Sequence, residues 1–173
     1  RLDQGEQGII THPFRSGDKL DMWMMMSVTG EGGSTLGYLA LVLGDHHRFS
    51  TTTLITGIAS DTMETYLVNE HGYMLSESRF VDKLVRVGIL QAGQKSTLNI
   101  RVADPGSNLL EGGKTHLNRD NLPLTLSAQS VLESKRKGSS SVPYRDYRGT
   151  SVMGVWQWSK ALNAAIVTEI DKD

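Results

Sequence analysis

At 173 residues the chain has room for one large domain, or for one complete small domain and part of another. Lys and Arg number 18 against 19 Asp and Glu, so no positive excess exists to neutralise a phosphate backbone or an anionic membrane, which argues against a nucleic-acid partner. Cysteine is absent, which excludes a disulfide framework, a thiolate metal site and a Cys nucleophile; no run approaches the ~18 apolar residues of a membrane span, and the chain reads as a soluble piece of something longer.

Residues 1–18 are polar and glycine-bearing, with Gly8, Ile9, Ile10 and Thr11 the one candidate strand. Residues 20–28 differ. Met22, Trp23, Met24, Met25 and Met26 are apolar at consecutive positions, the pattern of a strand covered on both faces or of a short buried helix. Gly30, Gly32 and Gly33 favour strand and turn, so residues 35–43 return as the second arm of a hairpin. Asp45 can cap a short helix through His46, His47 and Phe49 toward Leu54, Ile55 and Ile58. Residues 57–62 are the seam between two lobes.

Beyond the seam, residues 65–68 and 73–75 flank Asn69, Glu70, His71 and Gly72, whose glycine suits the left-handed position that closes a short turn. Residues 79–122 carry little pattern: Val81, Leu84, Val85 and Val87 fit a strand or half-turn, and Asp104, Pro105 and Gly106 a turn. Residues 123–134 predict a helix from the spacing of Leu124, Ala128, Val131 and Leu132, with Pro123 in its first turn and Asn121 as cap. Residues 135–141 read as a flexible connector. Residues 144–147 and 152–158 then form a strand pair that reverses at Arg148 and Gly149, and residues 164–170 return as a third strand of an antiparallel meander.

Catalytic chemistry finds no residue to stand on. His46 and His47 point to different sides and have no third ligand at metal spacing. Asp146 and Glu169 invite an acid–base reading, yet Asp146 lies beside Arg145 and Arg148 as a paired carboxylate, and Glu169 reads as facing water. No nucleophile elbow surrounds Ser76 or Ser78, and no phosphate loop occurs. Trp23 with its four methionines fits either an adaptable apolar ligand surface or a buried core strand, and burial is the commoner state of these residue types. A second set, Tyr66, Arg79, Tyr144, Asp146 and Trp156, would hold a small anion or amino acid by arginine hydrogen bonds and aromatic walls if one sheet face brings it together; otherwise Arg79 and Asp146 satisfy each other or nearby carbonyls and the aromatics are core.

Two stretches carry a family resemblance. Tyr-Arg-Asp-Tyr-Arg-Gly at 144–149, Val-Met-Gly-Val-Trp-Gln-Trp at 152–158 and Ala-Ala-Ile-Val-Thr-Glu-Ile-Asp at 164–171 resemble the end of the extracellular Cache sensor domains of bacterial receptors, and residues 64–80 resemble the opening hairpin of the same lobe. The resemblance implies an α+β, PAS-like antiparallel sheet with helices packed on one side. Residues 57–173 would be the proximal lobe, and residues 1–56 a partial distal-lobe hairpin with its linking helix. The first half of that distal lobe and the tyrosine, arginine, tryptophan and aspartate motif of amino-acid-binding members have no counterpart, so amino-acid specificity is not carried over.

By the same resemblance the chain is the extracytoplasmic sensor of a bacterial transmembrane signalling protein such as a histidine kinase, a nucleotide cyclase or a chemoreceptor. It would be a periplasmic or extracellular part of an inner-membrane protein, without cofactor, with a small anionic or zwitterionic ligand and a second copy of itself as expected partners. In PAS-like lobes the ligand cavity lies between the sheet and its cover, here between strands 64–78 and 144–158 and residues 79–134, and Arg79 would reach over its edge. The alternative is a structural or dimerisation lobe that binds nothing small and positions a distal sensor. A third reading is a hydrolase or transferase whose site carries no known motif.

Overall fold

The structure, a computed structural model, describes residues 8–16, 19–43, 60–115 and 118–172. The chain divides into two compact units, residues 1–48 and 49–173. The helix expected from Asp45, with His46 and His47, lies outside the described residues, as does the first half of the expected seam at 57–62.

In the first unit the described residues form strands only: β1 (Gly8–Ile10), β2 (Phe14–Ser16), β3 (Lys19–Asp21), β4 (Trp23–Thr29) and β5 (Thr35–Val42). One antiparallel sheet has the order β1-β4-β5, and β2 and β3 pair separately. The expected hairpin is present, with Trp23 opposite Val42 and Met26 opposite Leu39. Its burial corrects the expectation of a strand covered on both faces. The register sets Ile10, Met24 and Leu41 side by side on one face, and Met24 and Met26 are 42% and 47% exposed. Trp23 and Met25, on the other face, are half-buried, and the Trp23 ring meets Phe14 edge-on at 5.7 Å. Where every residue of a run is apolar, the period of two that separates the faces leaves no trace in the sequence.

The second unit is built on a four-stranded antiparallel sheet of β6 (Glu64–Val68), β7 (Gly138–Arg145), β8 (Ser151–Ser159) and β9 (Ala164–Asp171), in the order β6-β9-β8-β7. This is the single sheet expected from the two matching stretches. The return at 73–75 is reduced to isolated bridges, Met74 to Val68 and Tyr73 to Arg101, although the turn is as expected: Gly72 has φ +84° and its N–H bonds the Asn69 carbonyl at 3.0 Å. Residues 138–141, expected to be flexible connector, are the first half of β7; their serines disguise an edge strand, which needs no apolar face of its own. Pro143 lies where the β7–β8 register shifts, a place where the ladder asks for no N–H.

Two α-helices occur among the described residues, α1 (Val81–Arg86) and α2 (Leu126–Ser134). The first replaces the expected strand or half-turn. The second begins later than expected: Thr125 caps it, accepting from the Ala128 N–H at 3.4 Å, so neither Asn121 nor Pro123 takes the assigned role. Helix α2 packs across β7, β8 and β9. Between helix and sheet lies the core, with Tyr66, Val68, Val102, Ala128, Val131, Tyr147, Trp156 and Val167. At roughly 1.5–3 kcal/mol for each large apolar side chain removed from water, this face supplies the main driving force for the unit.

Candidate functional site

The polar groups of interest sit inside that core. On β6, Glu64, Tyr66 and Val68 share the core face; on β9, Ala165, Val167 and Glu169 do; and the register sets Glu64 directly opposite Glu169. Glu64 and Glu169 are each 3% exposed, which corrects the expectation that Glu169 faces water. The Glu169 carboxylate accepts three hydroxyls: Tyr144 at 2.7 Å and Ser127 at 2.8 Å on Oε1, and Tyr66 at 2.8 Å on Oε2. Glu64 accepts from the Ser78 hydroxyl at 2.8 Å and the Arg79 N–H at 2.9 Å on Oε1, and from Tyr147 at 2.6 Å on Oε2. Opposite Glu169 on β8 stands Gly154, where a Cβ would lie 2.5 Å from the Tyr144 hydroxyl. The missing side chain is what lets Tyr144 reach the carboxylate.

Next to this pair the Tyr-Arg-Asp-Tyr-Arg-Gly turn closes on itself. Asp146 accepts the N–H groups of Arg148 at 2.8 Å and Thr150 at 2.9 Å on one oxygen, and Arg148 Nε at 2.5 Å on the other. The other end of the Arg148 guanidinium bonds Asp171 on β9 at 2.6 Å, and its Cζ lies 4.1 Å from the Phe80 ring centroid. Gly149 has φ +80°, and a Cβ there would stand 1.9 Å from the Ser107 carbonyl oxygen, so both conformation and space require glycine. Arg119 completes the surround, donating to the carbonyls of Tyr147 and Arg101 at 3.1 and 3.3 Å.

Burial dominates the electrostatics. It pushes the Glu169 carboxyl up to about 7, with the Asp146 charge adding to the rise and the three hydroxyls opposing it. Glu64 is raised by the same loss of solvation, against its donors and the Arg148 charge. Asp146 is raised by burial too, with Arg148 pulling the other way. Burial works against the Arg148 charge, but Asp146 outweighs it and holds the guanidinium protonated. The phenols of Tyr66, Tyr144 and Tyr147 are all raised by burial and remain neutral donors.

Of the five residues singled out in the sequence, the fold brings four to this core. Tyr66 and Tyr144 meet on Glu169, Trp156 packs edge-on to Tyr144 at 6.2 Å, and Asp146 is held by Arg148. Trp156 also borders a hollow of about 570 Å³ with Lys137, Ser139 and Thr168. Arg79 is not brought in: its side chain is exposed and donates to the carbonyls of Ser60 and Met63. Sequence reasoning missed Glu64, Ser127, Tyr147, Arg148 and Asp171 as members. A signal was available for one of them, and for the burial of Glu169: counted by twos, Glu64 falls in line with Tyr66 and Val68, and Glu169 with Ala165 and Val167, which puts both acids on the core face. Among the described residues no group of three His, Asp or Glu side chains stands ready for a metal ion.

No family model matches the sequence, and no curated protein matches it. Solved structures do. The extracellular domain of the candidate histidine kinase mmHK1S-Z3 matches at 15% identity with a TM-score of 0.55, over 98% of this chain and 51% of that one. The periplasmic sensory domain of the Campylobacter jejuni chemoreceptor Tlp1 matches at 12% identity with a TM-score of 0.53, over 96% and 50%. The ligand-binding domain of the Pseudomonas fluorescens chemoreceptor CtaA, in complex with L-isoleucine, matches at 14% identity with a TM-score of 0.53, over 99% and 55%. The chain shares the fold of these extracellular and periplasmic domains. It spans about half the length of these sensor domains, and at such identities the likeness is one of fold. No helix among the described residues is long and apolar enough to cross a membrane.

Proposed function

We propose that this chain is the extracytoplasmic input region of a bacterial transmembrane signalling protein of the histidine-kinase, cyclase or chemoreceptor kind, and that it senses rather than turns over substrate. The observation that carries this is the likeness of nearly the whole chain to three sensor domains of that kind. Residues 57–173 act in it as the membrane-proximal lobe and residues 1–56 as part of a distal one. The strand order supports that division: β1-β4-β5 repeats β7-β8-β9, each a last hairpin flanked by one earlier antiparallel strand, while β6, which pairs with β9, has no equivalent beside β5 among the described residues. Signalling requires a ligand that binds two conformations unequally, with β9 as the element that passes the difference on.

The ligand class is a small anionic or zwitterionic molecule, supported by the L-isoleucine complex of the similar CtaA domain and not by Arg79, whose side chain lies away from the core. A second reading is favoured by the filled core of the second unit, where Tyr66, Tyr144, Tyr147 and Trp156 occupy the space between sheet and α2: that unit is a structural relay, and a ligand binds elsewhere. A thermal-shift screen of organic acids and amino acids separates the two, run on wild type and Arg79→Ala. A ligand that stabilises wild type and is weakened by Arg79→Ala supports a site at Arg79; one that stabilises both equally supports the relay. Fusion of the chain to a membrane span and a kinase output, silent to every compound and condition tried, overturns the sensor function itself.

A further inference from the structure

Two acids directly opposite each other on the buried face of a sheet call for a physical reason, because like charges so placed weaken the pairing. Glu64 and Glu169 are served by different kinds of donor. One oxygen of Glu64 takes a backbone N–H, from Arg79 at 2.9 Å, which cannot reverse, and the Arg148 charge attracts it, so its anion has support that Glu169 lacks even though burial raises this carboxyl as well. Glu169 is held by hydroxyls alone, those of Tyr66, Tyr144 and Ser127. A hydroxyl can turn from donor to acceptor, so this carboxyl can carry a proton and keep its partners. Ser127 has somewhere to send its own hydrogen in that state, since Thr125 Oγ1, the cap of α2, lies 3.2 Å away.

The groups around Glu169 come from every element packed on it. Strand β6 contributes Glu64 and Tyr66, β7 contributes Tyr144, β8 contributes Gly154 and no side chain, and α2 contributes Ser127. The turn after β7 brings Asp146, Tyr147 and Arg148, with Arg119 on the Tyr147 carbonyl and Asp171 further along β9. Arg148 is already shared by Asp146 and Asp171, and among the described residues no cation bonds Glu169. A hollow of about 430 Å³ bordered by Met153, Gly154, Glu169 and Ile170 brings solvent to this stretch of β8 and β9.

We propose that Glu169 is a proton-binding site, and that the proton it takes from the surrounding medium relieves the repulsion with Glu64 and tightens β9 against β6, making external acidity a stimulus for this domain. Burial and the Asp146 charge, which push this carboxyl up to about 7, set the range in which it responds. The word stimulus rests on the sensor function above; the proton site stands without it.

The test uses the whole 173-residue chain. Carbon-detected NMR follows the Glu169 carboxyl against pH, and hydrogen exchange follows the amides of β6 and β9, expressed as protection factors corrected for intrinsic pH dependence. The carboxyl is expected to titrate between about pH 6 and about pH 8, and protection in wild type to fall about tenfold from about pH 6 to about pH 8.5, as linkage requires for such a group. In Glu169→Gln this tenfold share of the fall should disappear, leaving only what Glu64 and Asp146 contribute. A carboxyl that titrates below about pH 5, or keeps one ionisation state throughout, overturns the proposal in the wild-type protein alone, whether or not the variant folds. Titration in range with unchanged protection overturns the link to β9. Failure of the sensor function would appear separately, as a silent kinase fusion with the titration intact.

Discussion

Replacing Arg148 with methionine removes the one cation that ties the turn after β7 to the end of β9. Its side chain is 2% exposed, between Asp146 at 1% and Asp171 at 18%. Solvent therefore screens neither pair strongly, and each charge-assisted bond falls in the range of about 1.5–3 kcal/mol. The larger effect is on what remains: Asp146 keeps its two backbone donors but loses its countercharge while almost wholly buried. Breaking one side of a buried pair costs about 3–5 kcal/mol. Set against a domain stability of about 5–15 kcal/mol, this moves a urea midpoint far enough to be read without ambiguity. The same reasoning makes the double variant Asp146→Leu with Arg148→Met less damaging than the single one, since the most deeply buried charge is gone and only Asp171, 18% exposed, is left without its partner. Asp171→Asn, which removes the more exposed partner, should cost less than either. A single Arg148→Met change costing under about 1 kcal/mol, or a double variant worse than the sum of its parts, refutes the account.

Trp156 is 6% exposed between sheet and helix, and Trp156→Ala should lower stability by about 3–5 kcal/mol in chemical denaturation; an unchanged midpoint would mean that the indole carries no packing energy. Gly149→Ala meets both a positive φ and the Ser107 carbonyl, so the second unit should lose its cooperative thermal transition or melt well below wild type. Thr125→Ala removes the cap of α2 and should cost about 1 kcal/mol, read from the same denaturation curves. Stability should also depend on pH in a definite direction: because Glu169 is raised in the folded state from 4.5 to about 7, the unfolded chain ionises first as pH rises. Stability is then highest below pH 4.5 and falls until about pH 7, by about 3 kcal/mol from this group. Glu64 and Asp146, raised in the same sense, add to that fall, so the difference between wild type and Glu169→Gln isolates the Glu169 share.

The sheet of the second unit was legible because its strands carry alternation and its turns carry glycine: β8 and β9 fall within a residue or two of the ranges read from Val152, Trp156 and Ile166. The same reading lost β7 at Ser139, Ser140 and Ser141, where both faces of the edge strand carry small serines and no apolar alternation announces it. It misplaced the start of α2 because Pro123 and Asn121 are good starting residues, yet Thr125 has the geometry: a hydroxyl that reaches the Ala128 N–H. In the first unit the methionine run gave the hairpin but not its faces. The polar core escaped for a different reason. Composition treats a lone glutamate as a surface residue, which is right until the residues two before it on the strand are counted, and Arg148 reads as a partner of its neighbour Asp146 without any sign that it also reaches Asp171, 23 positions on.

That last contact is where the two halves of the polar core converge. Strand β9 carries Glu169 opposite Glu64 and, two residues later on the same face, Asp171 on Arg148. One end of the strand is thus fixed by the Arg148–Asp171 ion pair, while two residues earlier it is held by a carboxyl that only hydroxyls serve. A change at Glu169 cannot slide β9 as a whole, because Asp171 is anchored; it can only alter how the strand lies between that anchor and β6. Cutting the anchor separates the two effects. With Asp171→Asn, protonation of Glu169 should still change the exchange of β6 and β9 amides, but amides of the turn at 146–150 should become more open at both pH values. If the turn instead stays as protected as in wild type, the anchor lies in the backbone of the turn and not in the Arg148 to Asp171 bond.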